Sequence, residues 1–375
     1  MAAINSMLSD SRVIVCCGAG GVGKTTASAS LAVAAAQQGL RVLVVTIDPS
    51  KRLAEALGVD RNPTEPILVD HEILEPLACG GQLSAWMLDP QLISNNVVQR
   101  FSGSASDAKT LMNNRIYQNV TAMVAGMQEY TAVQALYEFV EQDAYDLIIL
   151  DTPPSRDALR FLDAPDRATA FLDRRIFNLF VPGEGGAIRR MATRLLERVM
   201  DLSFGKETRT ELQQFFQLFG SLLSQLNHNQ AEMRRFFESD AVCFVLVTSP
   251  AEAALTEAKF FAHRATVELG LNVAGVMLNR SLAHATHWRM PAEIPGRTVL
   301  NAGLQKLMVF AEAERSSMQS HTTLAESLLD LTDGRGWVCS LPHLGPDAST
   351  LDGLVTLADC MAAGETILTD KKDLG

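Results

Sequence analysis

Gly18-Ala19-Gly20-Gly21-Val22-Gly23-Lys24-Thr25 lies between the β-branched run Arg12–Cys17 (RVIVCC) and an alanine-rich stretch from Lys24 to Gln38. The apolar run predicts a strand and the alanine-rich stretch a helix, closed by Gly39. Glycine visits positive φ without penalty, so the intervening loop can turn tightly and aim successive N–H groups inward. The spacing is G-x-x-x-x-G-K-[ST] in its proper strand–loop–helix setting, which predicts a phosphate cradle at a helix N-terminus. Lys24 is expected to reach the β- and γ-phosphates and the Thr25 hydroxyl to ligate Mg²⁺. The expected nucleotide-binding set is Gly18, Gly20, Gly21, Val22, Gly23, Lys24, Thr25 and Thr26.

Working outward, further apolar runs occur at Arg41–Ile47, Tyr145–Leu150, Ala241–Thr248, Val273–Leu278 and Trp337–Leu341. They are continuous rather than alternating, as in parallel strands covered on both faces. Helical segments separate them, so the expected fold is α/β, a doubly wound parallel-sheet P-loop core with a helical subdomain. The expected core comprises residues 1–88, 143–164 and 241–370, and residues 89–142 and 165–240 are expected as helical insertions. Ten of the 16 phenylalanines fall between Phe161 and Phe237, in the second insertion. They suit either the core of the helical subdomain or a groove for an apolar helix. Phe215, Phe216 and Phe219 crowd too closely for one narrow helix face, which leaves at least one expected at the surface.

Two acids end strands. Asp48 closes Arg41–Ile47 at the carboxyl edge of the sheet, where it could polarise an attacking water or, alternatively, cap the following helix. Asp151 follows Leu147–Leu150 and is expected to hold Mg²⁺ through water, alongside Thr25.

The chain has 375 residues and a formal net charge of −11, which argues against nucleic acid or an anionic lipid surface as partner. A signal peptide and a bilayer-spanning stretch are both missing from the sequence, so a soluble, cytoplasmic protein without a stable membrane anchor is expected. The six cysteines include no C-x-x-C pair, and four of them sit in strand-like runs as small hydrophobes. His284, His287 and Trp288 suit a surface loop better than a metal site, since no third ligand is near.

The glycine-rich loop, Asp48-Pro49-Ser50 and Asp151-Thr152-Pro153-Pro154 resemble the ATPases that drive arsenite pumps or guide tail-anchored membrane proteins. Ala125–Glu129, Leu159–Leu162, Leu278-Asn279-Arg280 and Leu341-Pro342-His343-Leu344 fall in the same order, so the resemblance covers most of the chain. It implies that Asn279 reads adenine, that Pro342 and Leu344 flank the base, and that two nucleotides face each other across a dimer. It also implies that the helical insertions form the client surface.

Three departures bear on these implications. Where the family places a trans-acting lysine, second in the loop, this chain has Ala19. Where the switch after Asp48 normally supplies an asparagine, it has Arg52, a candidate to replace some of the missing positive charge. The family's metal-binding cysteines are missing, so no zinc is expected.

The resemblance thus implies a dimeric Mg-ATP hydrolase with ATP/ADP and Mg²⁺ as cofactors; the expected catalytic residues are Asp48 and Lys24, joined by Arg52 where this chain departs from the family pattern. The dimer would be with itself or with a paralogous ATPase, and turnover would be slow or partner-dependent. Its nucleotide cycle would switch a helical subdomain for a hydrophobic protein client or membrane protein. The alternative is the energy-coupling subunit of an anion or metalloid exporter.

Overall fold

The computed structural model describes residues 2–47, 52–60, 65–69, 81–88, 98–99, 102–115, 117–118, 136–152, 210–212, 214–219, 235–283, 298–332, 336–363 and 367–369. Among these, nine strands form one sheet: β1 (Val13–Gly18), β2 (Arg41–Thr46), β3 (Ile67–Leu68), β4 (Gln82–Met87), β5 (Leu147–Asp151), β6 (Val242–Thr248), β7 (Val273–Leu278), β8 (Trp337–Ser340) and β9 (Ile367–Leu368). Their order is β3-β4-β2-β5-β1-β6-β7-β8-β9. From β4 to β8 every neighbouring pair is parallel. The two-residue strands β3 and β9 close the two edges antiparallel.

Among the described residues the α-helices used below are α1 (Ala2–Asp10), α2 (Lys24–Gln37), α3 (Arg52–Leu57), α4 (Ala105–Asn113), α5 (Glu252–His263), α6 (Thr298–Leu328) and α7 (Leu351–Ala363). The chain divides into two compact units. The first comprises Met1–Met87, Asp143–Ala158 and Glu238–Gly375, and the second Leu88–Gln142 and Leu159–Phe237.

In the first unit the central strands are buried along their whole length, which is why their sequences carry no polar alternation. α2 runs against β1, β2 and β5 and also against α7, and it is buried from Ala27 to Ala36. Its alanines and serines are what let a helix lie this close to two layers at once. β1 is the switch point of the sheet. The chain proceeds from it to one side through β2, and β5 crosses it to reach β6 on the other. In such sheets the crevice at the carboxyl ends of the switch strands takes the ligand.

At the opposite edge Arg41 clasps Asp146, with a guanidinium nitrogen 2.6 Å from Oδ1 and the Arg41 backbone N–H donating to Oδ2 at 2.8 Å. These hydrogen bonds from Arg41 hold the Asp146 carboxyl below its usual range. Cys16, Cys17, Cys243 and Cys339 are all buried in the strands. Burial pushes the Cys17 thiol up to about 12 and the Cys243 thiol to about 11, so they behave as inert packing groups.

In the second unit the Ser104 hydroxyl caps α4 by accepting from the Asp107 N–H at 3.1 Å. Phe215 stacks on Phe219 at 5.0 Å between ring centroids, and Tyr117 meets Phe219 edge-on at 6.3 Å. Phe215, Phe219 and Phe237 are buried and Phe216 is half-buried. Of the crowded trio, two are fully packed, and half-buried Phe216 meets Phe215 edge-on at 5.4 Å between ring centroids. Phe161, Phe171, Phe177, Phe180 and Phe204 lie outside the described residues.

Candidate functional site

β1 delivers Gly18 into a place where no side chain fits. A Cβ there would stand 2.1 Å from the Val247 carbonyl oxygen of neighbouring β6. Gly21 (φ 77°) and Gly23 (φ 92°) then take left-handed backbone, which turns the loop over the start of α2. Gly23 is the residue before the helix and offers no side-chain cap, so the first-turn N–H groups of α2 face the loop.

Lys24 is buried, at 8% exposure, and its ammonium folds back over its own loop. Nζ donates to the Gly18 carbonyl at 3.0 Å and to the Ala19 carbonyl at 2.8 Å. The Thr25 hydroxyl donates to Oδ2 of Asp151 at 2.7 Å, and the Thr46 hydroxyl to the same oxygen at 3.1 Å. Asp151 is 1% exposed, and the register of β1, β5 and β2 sets it beside Cys16 and Thr46. Thr152, next along, donates from its hydroxyl to the Cys16 carbonyl at 2.8 Å. One buried cation and one buried carboxylate thus stand at the carboxyl ends of adjacent parallel strands.

Asn279 follows β7 and lies at 6% exposure. Its Nδ2 donates to the Val22 carbonyl at 2.8 Å, so it joins the glycine-rich loop directly. Pro342 and Leu344 follow β8 and are half-buried, with Leu344 packed against the hydrophobic core. Thr26 is half-buried in the first turn of α2, and Arg52 opens α3 with its side chain exposed. Asp48, His284, His287 and Trp288 lie outside the described residues. Thr46 and His321 were not singled out from the sequence. Thr46 could have been found as the residue level with Asp151 once β2 and β5 were paired, whereas His321 carries no local signal.

A family model described as anion-transporting ATPase matches residues 11–290, a span that contains the loop, Asp151 and Asn279. The chain belongs to the anion-transporting ATPase family. Family membership implies ATP binding. The chain is 27% identical over 264 residues to the ATPase GET3C of Arabidopsis thaliana, covering 64% of this chain and 59% of that protein. It is 31% identical over 149 residues to the ATPase get3 of Aspergillus niger, covering 40% of this chain and 41% of that one. An uncharacterized protein of Streptomyces coelicolor is 29% identical over 201 residues, covering 53% and 46%. The chain spans about half the length of the curated relatives it matches. Among the described residues of this anion-transporting ATPase family member, no helix is long and apolar enough to cross a membrane. Nor do the described residues contain a group of three or more His, Cys, Asp or Glu able to hold a metal.

The turn after Asn279 is pinned to α6. His321 Nδ1 accepts the Leu282 backbone N–H at 3.0 Å, which requires the neutral ring. Burial disfavours the cation and holds His321 below its ordinary value of 6.5. The unfolded chain therefore takes up this proton first as pH falls. The stability that His321 contributes is complete above about pH 6.5 and is lost as pH falls toward its depressed folded value. Urea titrations of wild type between pH 7.5 and 5.5 should show a decline in unfolding free energy that is shallower in His321→Phe.

Proposed function

We propose that this chain hydrolyses ATP with Mg²⁺ as a dimer, and that its nucleotide cycle switches the unit formed by residues 88–142 and 159–237 for a hydrophobic protein client. The carrying observation is the cluster of Lys24, Thr25 and Asp151 at the switch point of the sheet, in a member of an ATPase family. The donor set fits a metal–phosphate group. Left-handed glycines leave backbone N–H groups uncovered, a buried ammonium is within the loop, and a hydroxyl and a carboxylate sit together as hard oxygen ligands.

In this reading Lys24 leaves the Gly18 and Ala19 carbonyls for phosphate oxygens, with the loop N–H groups and Thr26 completing the grip. The Thr25 hydroxyl and, through water, Asp151 would hold the metal, with Thr46 keeping its hydrogen bond to the Asp151 carboxylate. Mg²⁺ supplies neutralisation of the charge that develops on the phosphoryl oxygens. Asp48 aligns the attacking water, whose oxygen bonds phosphorus as the bridging bond to ADP breaks, its proton passing to the carboxylate or to solvent. Arg52 contributes cationic charge in place of the lysine absent at Ala19. Asn279, Pro342 and Leu344 bind the base.

Phosphate release by the purified chain with ATP and Mg²⁺ tests the reading, with Arg52→Ala assayed in parallel. No turnover by wild type and none on adding a paralogous partner would sink the hydrolase reading, and an unchanged Arg52→Ala rate would remove Arg52 from it. The family description favours a second reading, the energy-coupling subunit of an anion exporter. An oxyanion that accelerates turnover supports that role, whereas capture of a transmembrane-helix peptide in one nucleotide state supports the client role.

A further inference from the structure

Asn279 is held more firmly than a residue that only meets a base would need to be. Its backbone N–H donates to the Thr248 carbonyl at the end of β6 at 2.9 Å. Two residues on, the Ser281 N–H donates to Leu341 at the end of β8, also at 2.9 Å. Between them Arg280 takes left-handed backbone at φ 56°, an unfavourable conformation for a residue with a Cβ. The strained residue presents its N–H to Oδ1 of Asn279 at 2.9 Å, which sets the orientation of the amide. The amide in turn sends Nδ2 to the Val22 carbonyl. Gly23 makes that approach possible, because a Cβ there would lie 2.2 Å from Nδ2.

We propose that Asn279 is a positioning residue for the phosphate loop, orienting the Val22–Gly23 peptide so that phosphate binding depends on it even when no base is present. The peptide is planar and trans, so its carbonyl and its N–H point in opposite directions. Fixing the Val22 oxygen on Asn279 aims the Gly23 N–H away from Asn279, as the backbone donor immediately before Lys24 and the start of α2. The side-chain amide carries two N–H groups and two lone pairs, and the bonds to Val22 and Arg280 use one of each. The same amide can therefore meet a base while it holds the loop, which joins the two ends of the nucleotide through one side chain.

This inference rests on the loop being a nucleotide site, and the test separates the two claims. Binding of Mg-ATP and of inorganic tripolyphosphate with Mg²⁺ is measured by calorimetry for the full chain, Asn279→Ala and Asn279→Asp. Asn279→Ala is expected to weaken both ligands by about tenfold, the equivalent of one hydrogen bond. Asn279→Asp, equal in shape and still accepting from Arg280, is expected to weaken tripolyphosphate further, since it sets a carboxylate oxygen against the Val22 carbonyl. It also covers the case in which the alanine variant does not fold. The Gly23 amide resonance should move on tripolyphosphate binding in wild type and lose most of that movement in whichever variants are folded at the temperature of measurement. Tripolyphosphate binding within twofold of wild type, with ATP binding lost, would confine Asn279 to the base and overturn the inference. Wild type that binds neither ligand would overturn the nucleotide reading itself.

Discussion

Lys24→Ala is expected to reduce ATP turnover by about a hundred- to a thousandfold, the usual cost of removing one preorganised donor to developing phosphoryl or oxyanion charge. The ammonium is already buried in the loop, at 2.8 Å from the Ala19 carbonyl and 3.0 Å from that of Gly18. Its removal takes away the desolvation cost of a buried cation together with its two hydrogen bonds, so the variant should melt within a few degrees of wild type without ligand. Only wild type should gain stability on adding Mg-ATP, because that gain follows ligand affinity. Arginine should not rescue turnover, since its planar fork is larger than the compact ammonium the loop encloses. Phosphate-release rates and melting curves with and without Mg-ATP check both halves, and an alanine variant that turns over like wild type would refute the role given to Lys24.

Asp151→Asn should lower Mg-dependent turnover by about a hundredfold or more while leaving the ligand-free protein as stable as wild type or more so. A carboxylate at 1% exposure costs desolvation that the neutral amide avoids. The amide oxygen can still accept from Thr25 and Thr46, so their hydroxyls remain satisfied. What would be lost is the charge proposed to hold a divalent ion, and gain of stability with loss of activity would mark a group retained for chemistry. Asp151→Ala separates the effects, since it strands both hydroxyls and should also destabilise the fold by about 1–3 kcal/mol. A melting midpoint for Asp151→Asn well below wild type would instead make Asp151 a structural residue.

Six of the parallel strands are legible in the sequence because the sheet is covered on both faces and its strands are continuous apolar runs. β4 is not, because Gln82-Leu83-Ser84-Ala85-Trp86-Met87 contains no β-branched residue, and its strand conformation comes from pairing with β2. The edge strands β3 and β9 are two residues each, too short for any period to show. The phenylalanines between Phe161 and Phe237 illustrate a different limit. Composition alone allows both a core and a client groove, and Phe215, Phe219 and Phe237 prove to be packed inside.

For the loop itself, the sequence by itself determined the glycines, the lysine and the threonine, because backbone freedom and residue chemistry are local properties that spacing reveals. It also singled out Asp151 as an acid closing an apolar strand, a local pattern, and Asp151 does end β5. Only the tertiary structure decided how these residues are held. Thr46 joins Thr25 on one oxygen of Asp151 through strand register, and Asn279 reaches Val22 across 257 residues of chain through the order of β1, β6 and β7. Neither contact leaves a periodic or compositional trace, because each depends on which strands lie side by side.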